Sequence, residues 1–194
     1  MFEKRLCQYG DQTGRGCCIR KIPGLSCRIC FGETVDTASY GVTNLSNPLK
    51  VNEDNFFQIS SITKTFVALA VMRLADRGRV DLERPLLDYL PNFKLSDGEA
   101  EKSLTMRHLL IQLSGKGDYF KDFRFGKNVM GNMVKITLTL PQINPPGNDY
   151  FVLQFRFHVA SRVIEAITGK PFEEAINELV SKPLDLDKIR FSPE

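Results

Sequence analysis

The chain has 194 residues, enough for one domain with a real core. Hydrophobic residues make up 42% and charged residues 25%, a composition that excludes a disordered or fibrous protein. The net charge of +3 is too small to indicate a nucleic-acid partner, and no apolar run approaches the roughly 18 residues of a membrane span. The first residues lack the apolar segment of a secretory signal, so the sequence leaves the compartment unassigned.

The cysteines are concentrated at one end of the chain. An odd number confined to the first 30 residues makes a poor disulfide framework; they are Cys7, Cys17, Cys18, Cys27 and Cys30. We interpret residues 1–22 as a flexible, cysteine-containing N-terminal arm. Cys27 and Cys30 lie in a strand-like alternation, which places residues three apart on opposite faces and argues against a shared metal. We therefore expect free thiols. The sequence has neither an H-E-x-x-H or clustered Asp/Glu spacing nor a phosphate-binding glycine loop, so we expect no metal site and no cofactor.

The pattern of apolar residues predicts one hairpin followed by helices. Strand-like runs cover residues 25–31 and 37–43, with Gly32 in the turn between them. Helical spacing predicts four helices after the hairpin. The first begins at Ser60 or Ser61, with Ser60 as N-cap, and ends at about Arg77. The second covers residues 105–113 and is capped by Thr105, the third covers residues 155–168, and the fourth begins at Pro171. This order predicts an α+β fold in which a helical lobe packs on a short antiparallel sheet.

Ser61 and Lys64 form an S-x-x-K motif at the start of the first predicted helix. Residues three apart share one helix face, so the lysine nitrogen can reach the serine hydroxyl. A desolvated lysine can remove the hydroxyl proton, and the helix N-terminus favours developing negative charge. The backbone N–H of Ser61 is also a candidate oxyanion donor. The motif alone is weak evidence for catalysis, because a chain of this size contains about one S-x-x-K by chance. The alternative interpretation is a solvent-exposed helix start with a surface lysine.

Residues 55–66 resemble the F-x-I-x-S-x-T-K-x-F block of the class C β-lactamase and penicillin-binding-protein superfamily of serine hydrolases. Further blocks of that superfamily are matched in order over about residues 23–192, at residues 74–85, 89–91, 105–115, 145–147, 164–172 and 182–184. We therefore interpret residues 23–194 as a partial β-lactamase-like domain. The resemblance implies that Ser61 forms an acyl-enzyme and that Lys64 is its general base. It also implies a small-molecule ester, lactam or peptide substrate.

Two departures from the superfamily pattern affect the expected activity. Val152-Leu153-Gln154 stand where the superfamily has its Tyr-x-Asn motif. Valine cannot take the part in proton transfer that the resemblance implies for the tyrosine. Gln154 retains an amide, and Tyr150 lies two positions before the frame; both are candidate substrate-binding residues. The superfamily's C-terminal strands, with their K-T-G or H-x-G motif, are absent after residue 184. We therefore expect weak activity and a sheet edge covered by helices, a second copy or a partner.

Three interpretations remain open from the sequence. The favoured one is a serine hydrolase of β-lactamase, esterase or D-amino-peptidase type with impaired activity. The second is a catalytically inactive relative that serves as a binding or interaction module, and the third is a truncated frame without a selected function. Acylation of Ser61 separates the first two, and cooperative unfolding tests the third. We expect His108 to be a packed residue and His158 to be a surface or helix-cap residue.

Overall fold

A computed structural model of the chain describes residues 22–114, 144–147 and 155–191. The chain divides into two compact units, with the boundary between Gln58 and Ile59. The predicted arm at residues 1–22 lies outside the described residues, apart from Ile22.

The first unit contains the predicted hairpin. Strand β1 (Gly24–Phe31) pairs antiparallel with strand β2 (Thr34–Gly41), and Phe31 lies opposite Thr34. The second strand begins at Thr34 rather than at residue 37, because Gly32 turns the chain in a left-handed conformation (φ 58°) within a two-residue loop.

The two cysteines of the hairpin are exposed, free thiols. Cys27 lies opposite Ala38 and Cys30 lies opposite Val35, both on β1. The strand predicted from their alternating surroundings is therefore confirmed, while Cys7, Cys17 and Cys18 lie outside the described residues.

The second unit is helical. A 3-10 turn at Ser60–Ile62 leads into helix α1 (Thr63–Asp76). The helices that follow are α2 (Gly98–Ser103), α3 (Met106–Leu110), α4 (Phe155–Thr168) and α5 (Phe172–Ile176). After α5 the chain continues through a π-helical turn at Asn177–Ser181 and a 3-10 turn at Lys182–Leu184.

Helix ends follow local backbone signals. Helix α1 ends close to Arg77, as predicted, where Gly78 (φ 66°) donates its N–H to the Ala75 carbonyl at 2.9 Å. The predicted N-cap at Ser60 is wrong, because Ser60 itself has a left-handed backbone (φ 46°) and no side chain caps the turn or α1. Helix α3 is shorter than predicted, because Gln112 adopts φ 64° after it.

The N-terminus of α3 is closed by a capping box in which His108 takes the place of an acidic residue. The Thr105 hydroxyl accepts the His108 N–H at 3.4 Å, and His108 Nδ1 accepts the Thr105 N–H at 3.2 Å. Burial lowers the pKa of His108, so the ring is neutral at pH 7 and keeps Nδ1 as an acceptor. His108 is therefore the packed, structural histidine that the sequence predicts.

The core of the helical unit forms where α1, α3, α4 and α5 bury their apolar faces. Helix α1 supplies Val67, Ala70, Val71 and Leu74, and α4 supplies Val159, Ala160, Val163 and Ile164. Such 3.6-period stripes hold the helices together by removing apolar surface from water. Within the described ranges, none of the helices has the length and apolarity needed to cross a bilayer. A helical unit and a short antiparallel sheet together make the fold α+β, as predicted.

Candidate active site

Ser61 and Lys64 meet at the start of α1. The Lys64 Nζ donates a hydrogen bond to the Ser61 Oγ over 2.9 Å. Ser61 is exposed in the 3-10 turn, whereas Lys64 is half-buried in the first turn of α1. The structure thus brings the two predicted residues into direct contact, with the hydroxyl open to a reactant.

The residue that precedes Ser61 has an unusual backbone. Ser60 has φ 46°, in the left-handed region that residues with a Cβ seldom occupy. The conformation begins the tight turn in which the Ile62 N–H donates to the Ile59 carbonyl at 3.0 Å. A strained residue of this kind costs on the order of 1–3 kcal/mol and persists where the surroundings enforce it, often at functional sites. Here it sets the direction in which the chain enters the turn that carries Ser61.

Helix α4 contributes an aromatic ring next to Lys64. The centroid of the Phe157 ring lies 5.9 Å from the Lys64 Nζ, and Phe157 is almost completely buried. A cation at this distance is attracted by the ring quadrupole. Phe157 therefore helps to fix the position of Lys64, a role that no local sequence pattern indicates.

His158, the residue after Phe157, belongs to the same region. It is half-buried on α4, which corrects the prediction of a surface or helix-cap residue. Burial lowers the pKa of His158, and the positive charge of Lys64 lowers it further. The burial of His158 results from the packing of α4 within the helical unit, which local sequence spacing does not indicate.

The other predicted site residues lie in a part of the chain that the structure does not describe. Tyr150 and Gln154, like Val152 of the Tyr-x-Asn frame, lie outside the described residues. In the part of the chain that the structure describes, no group of three or more His, Cys, Asp or Glu side chains could hold a metal ion.

Curated relatives are similar to this chain in sequence. Penicillin-binding protein 4 of Amycolatopsis lactamdurans is 26% identical over 174 residues, covering 89% of this chain and 46% of that protein. Esterase EstB of Burkholderia gladioli is 29% identical over 181 residues, covering 82% of this chain and 44% of that protein. The chain thus spans less than half the length of these relatives.

Solved structures share the fold. The octameric penicillin-binding protein homologue from Pyrococcus abyssi superposes with a TM-score of 0.81 at 22% identity, covering 94% of this chain and 43% of that chain. D-amino acid amidase from Ochrobactrum anthropi SV3 superposes with a TM-score of 0.80 at 21% identity, covering 97% and 54%. These neighbours show that the described elements form about half of a β-lactamase-like fold.

A family model matches almost the whole chain. The Beta-lactamase family profile matches residues 9–194, which include the S-x-x-K turn and all of the described helices. The chain belongs to the β-lactamase family.

Proposed function

We propose that the chain is a serine hydrolase that acts through an acyl-enzyme on Ser61. The contact of 2.9 Å between the Lys64 Nζ and the Ser61 Oγ is the observation that carries the proposal. It lies within the reach that a general base needs. When Lys64 is a neutral amine, the same contact runs in the opposite sense, and the hydroxyl donates to the nitrogen.

The reaction proceeds in two steps. In the first, Ser61 Oγ attacks the carbonyl carbon of the substrate while its proton moves to the Lys64 amine, and the leaving group departs with a proton from Lys64. In the second, water attacks the ester carbonyl, the bond to Ser61 Oγ breaks, and the serine regains a proton. Splitting the hydrolysis in this way replaces one difficult displacement with two easier ones.

The start of α1 supports the developing negative charge. The first N–H groups of a helix lack intrahelical partners and carry partial positive charge. We infer that the Ser61 N–H supplies one oxyanion donor. Loss of one such donor typically costs about 10²–10³ in rate, so we propose weak turnover from residues 1–194 when they are assayed by themselves with this one donor.

The names of the relatives support a substrate with an ester or amide carbonyl. They include an esterase and penicillin-binding proteins, and one fold neighbour is a D-amino acid amidase. We therefore propose a small-molecule ester, lactam or peptide amide as substrate, with Tyr150 and Gln154 as substrate-binding residues.

A second copy of the chain is a candidate partner. The described sheet has only the two strands β1 and β2, and a two-stranded sheet is marginally stable by itself. The octameric state of the neighbour from Pyrococcus abyssi supports a homo-oligomer, in which another copy covers the sheet edge.

Turnover tests the proposed function. Wild-type chain, Ser61→Ala and Ser103→Ala are each incubated with a chromogenic short-chain ester, a chromogenic cephalosporin and a D-amino acid anilide. We expect hydrolysis of at least one substrate, its loss in Ser61→Ala and its retention in Ser103→Ala, since Ser103 is an exposed serine on α2. No turnover above the Ser61→Ala background, from wild-type chain that unfolds cooperatively, would contradict the proposal and favour an inactive binding module.

A further inference from the structure

Strand β1 has one edge that pairs with β2 and an outer edge on its other side. Just beyond the two strands, the Val42 N–H donates to the Pro23 carbonyl at 2.8 Å. Hydrogen-bonded pairs alternate along an antiparallel ladder, so the odd-numbered residues of β1 bond toward β2. Among the described residues, no other strand pairs with the outer edge. The residues whose N–H and C=O groups point to this outer edge are Gly24, Ser26, Arg28 and Cys30.

The outer edge of β1 lacks the features that keep strand edges apart. Natural edge strands are protected by charged side chains, prolines or bulges. From Gly24 to Phe31 the strand has one charged residue, Arg28, and no proline, and its register with β2 contains no bulge. The outer edge of β2 is closed at one end by the chain itself, where the Val51 N–H donates to the Gly41 carbonyl at 3.0 Å. Of the two strands, β1 is therefore the one that can accept another strand along its whole length.

The sequence of β1 fits a second copy of itself. Two copies related by a two-fold axis pair antiparallel, and residues directly opposite each other lie on the same face of the sheet. The axis must therefore pass through a residue, and the overlap is longest when this residue is Cys27 or Arg28. An axis at Arg28 places two positive charges opposite each other, which destabilises the pairing. An axis at Cys27 gives the same overlap without that contact.

An axis at Cys27 also gives the outward backbone groups of β1 their partners. Ser26 then lies opposite Arg28 of the second copy, and Gly24 lies opposite Cys30. These are the residues whose N–H and C=O groups point away from β2, so each opposing pair exchanges two hydrogen bonds. The register that avoids opposed charges is thus also one that satisfies the edge.

Side chains on one face support the same register. Leu25 lies opposite Ile29 of the second copy, and both are half-buried apolar residues that can pack across the strands. Cys27 lies between them on the same face, opposite its own copy, and its thiol is exposed and free. The two cysteines form a non-hydrogen-bonded pair, in which Cα atoms are about 4.5 Å apart. A disulfide can span this separation.

We propose that two copies of the chain pair through the outer edges of β1, antiparallel and centred on Cys27, in a sheet to which each copy contributes its two strands. The inference rests on the second copy proposed above as a partner, and it names the strand, the register and the residue at the axis. With oxidised glutathione as the oxidant, the two Cys27 thiols form one disulfide and the glutathione disulfide is reduced to two thiols.

Disulfide exchange under native conditions tests the register. Every sample carries serine in place of the three other cysteines, Cys7, Cys17 and Cys18. Trypsin cleaves after Arg28, between the two remaining cysteines, so the linked peptides identify the bridge. With oxidised glutathione we expect a covalent dimer joined from Cys27 to Cys27, formed equally in Cys30→Ser and absent in Cys27→Ser. A chain that stays monomeric, or a dimer joined through Cys30, would overturn the register.

Molar mass from light scattering tests the pairing without a covalent bond. Ser26→Pro removes an N–H that points away from β2, so it blocks the second copy and keeps the hydrogen bonds of the hairpin. Ser26→Ala is the matched control, because it also loses the hydroxyl contact with Ser39 at 3.1 Å but retains the N–H. Under reducing conditions we expect wild type and Ser26→Ala to have at least twice the 22.0 kDa mass of one chain, and Ser26→Pro to have half the wild-type mass.

The outcomes separate this inference from the rest of the proposed function. A wild-type chain with the mass of one copy would overturn the second copy as a partner and the pairing with it. An oligomer that persists unchanged in Ser26→Pro would overturn pairing through β1 and place the interface on another surface. Labelling of Ser61 by a fluorophosphonate in each folded variant reports separately on the proposed catalysis, because every variant keeps Ser61 and Lys64.

Discussion

Replacing Lys64 with methionine is expected to slow the acylation of Ser61 by about 10²–10⁴-fold, the range that a positioned general base contributes. Methionine keeps the length of an unbranched side chain and can still pack near Phe157, but it cannot accept a proton. The Ser61 hydroxyl would then lose its partner at 2.9 Å and react as an ordinary alcohol. The measurement is a time course of fluorophosphonate labelling followed by intact mass.

A lysine on another helix provides the matched control. Lys102 on α2 is exposed and forms an ion pair with Glu99 at 3.0 Å, an interaction that contributes little to stability. Lys102→Met should therefore label at the wild-type rate. If Lys64→Met also labels at the wild-type rate, Lys64 is not the base.

Leu109→Ala is expected to lower the free energy of unfolding by about 2–5 kcal/mol. Leu109 on α3 is completely buried in the core of the helical unit. Truncation removes apolar contacts and leaves a cavity that the packed helices can only partly fill. Urea unfolding followed by circular dichroism measures the change.

The neighbouring residue Ile111 serves as the comparison. It is 43% exposed, so Ile111→Ala should lower the free energy of unfolding by only about 1 kcal/mol. Equal losses in the two variants would show that the core is not where the structure places it. Both variants keep Ser61 and Lys64, so labelling of the folded protein reports separately on the site.

Elements with strong local signals could be predicted from the sequence. The hairpin follows from two β-rich runs around Gly32, and α4 follows from its apolar period and the stop at Gly169. The contact between Ser61 and Lys64 is also local, because residues three apart lie on one helix face. These features are determined by residues that are close together in the sequence, so sequence patterns indicate them.

Features that depend on packing could not be predicted. The left-handed backbone of Ser60 replaces the expected N-cap, and Gln112 ends α3 early in a conformation that glutamine seldom adopts. The position of Phe157 beside Lys64 and the burial of His158 depend on how α4 packs against α1. Side chains far apart in sequence meet there, and no local spacing indicates which of them will do so.

Covalent labelling of Ser61 tests the central claim most directly. Wild-type chain, Ser61→Ala and Ser103→Ala are treated with a fluorophosphonate, and intact mass and peptide mapping report the adduct and its position. The account predicts one adduct per chain on Ser61 in wild type and in Ser103→Ala, and none in Ser61→Ala. A folded wild-type chain without an adduct, or an adduct that persists in Ser61→Ala, would contradict the claim that Ser61 is an activated nucleophile.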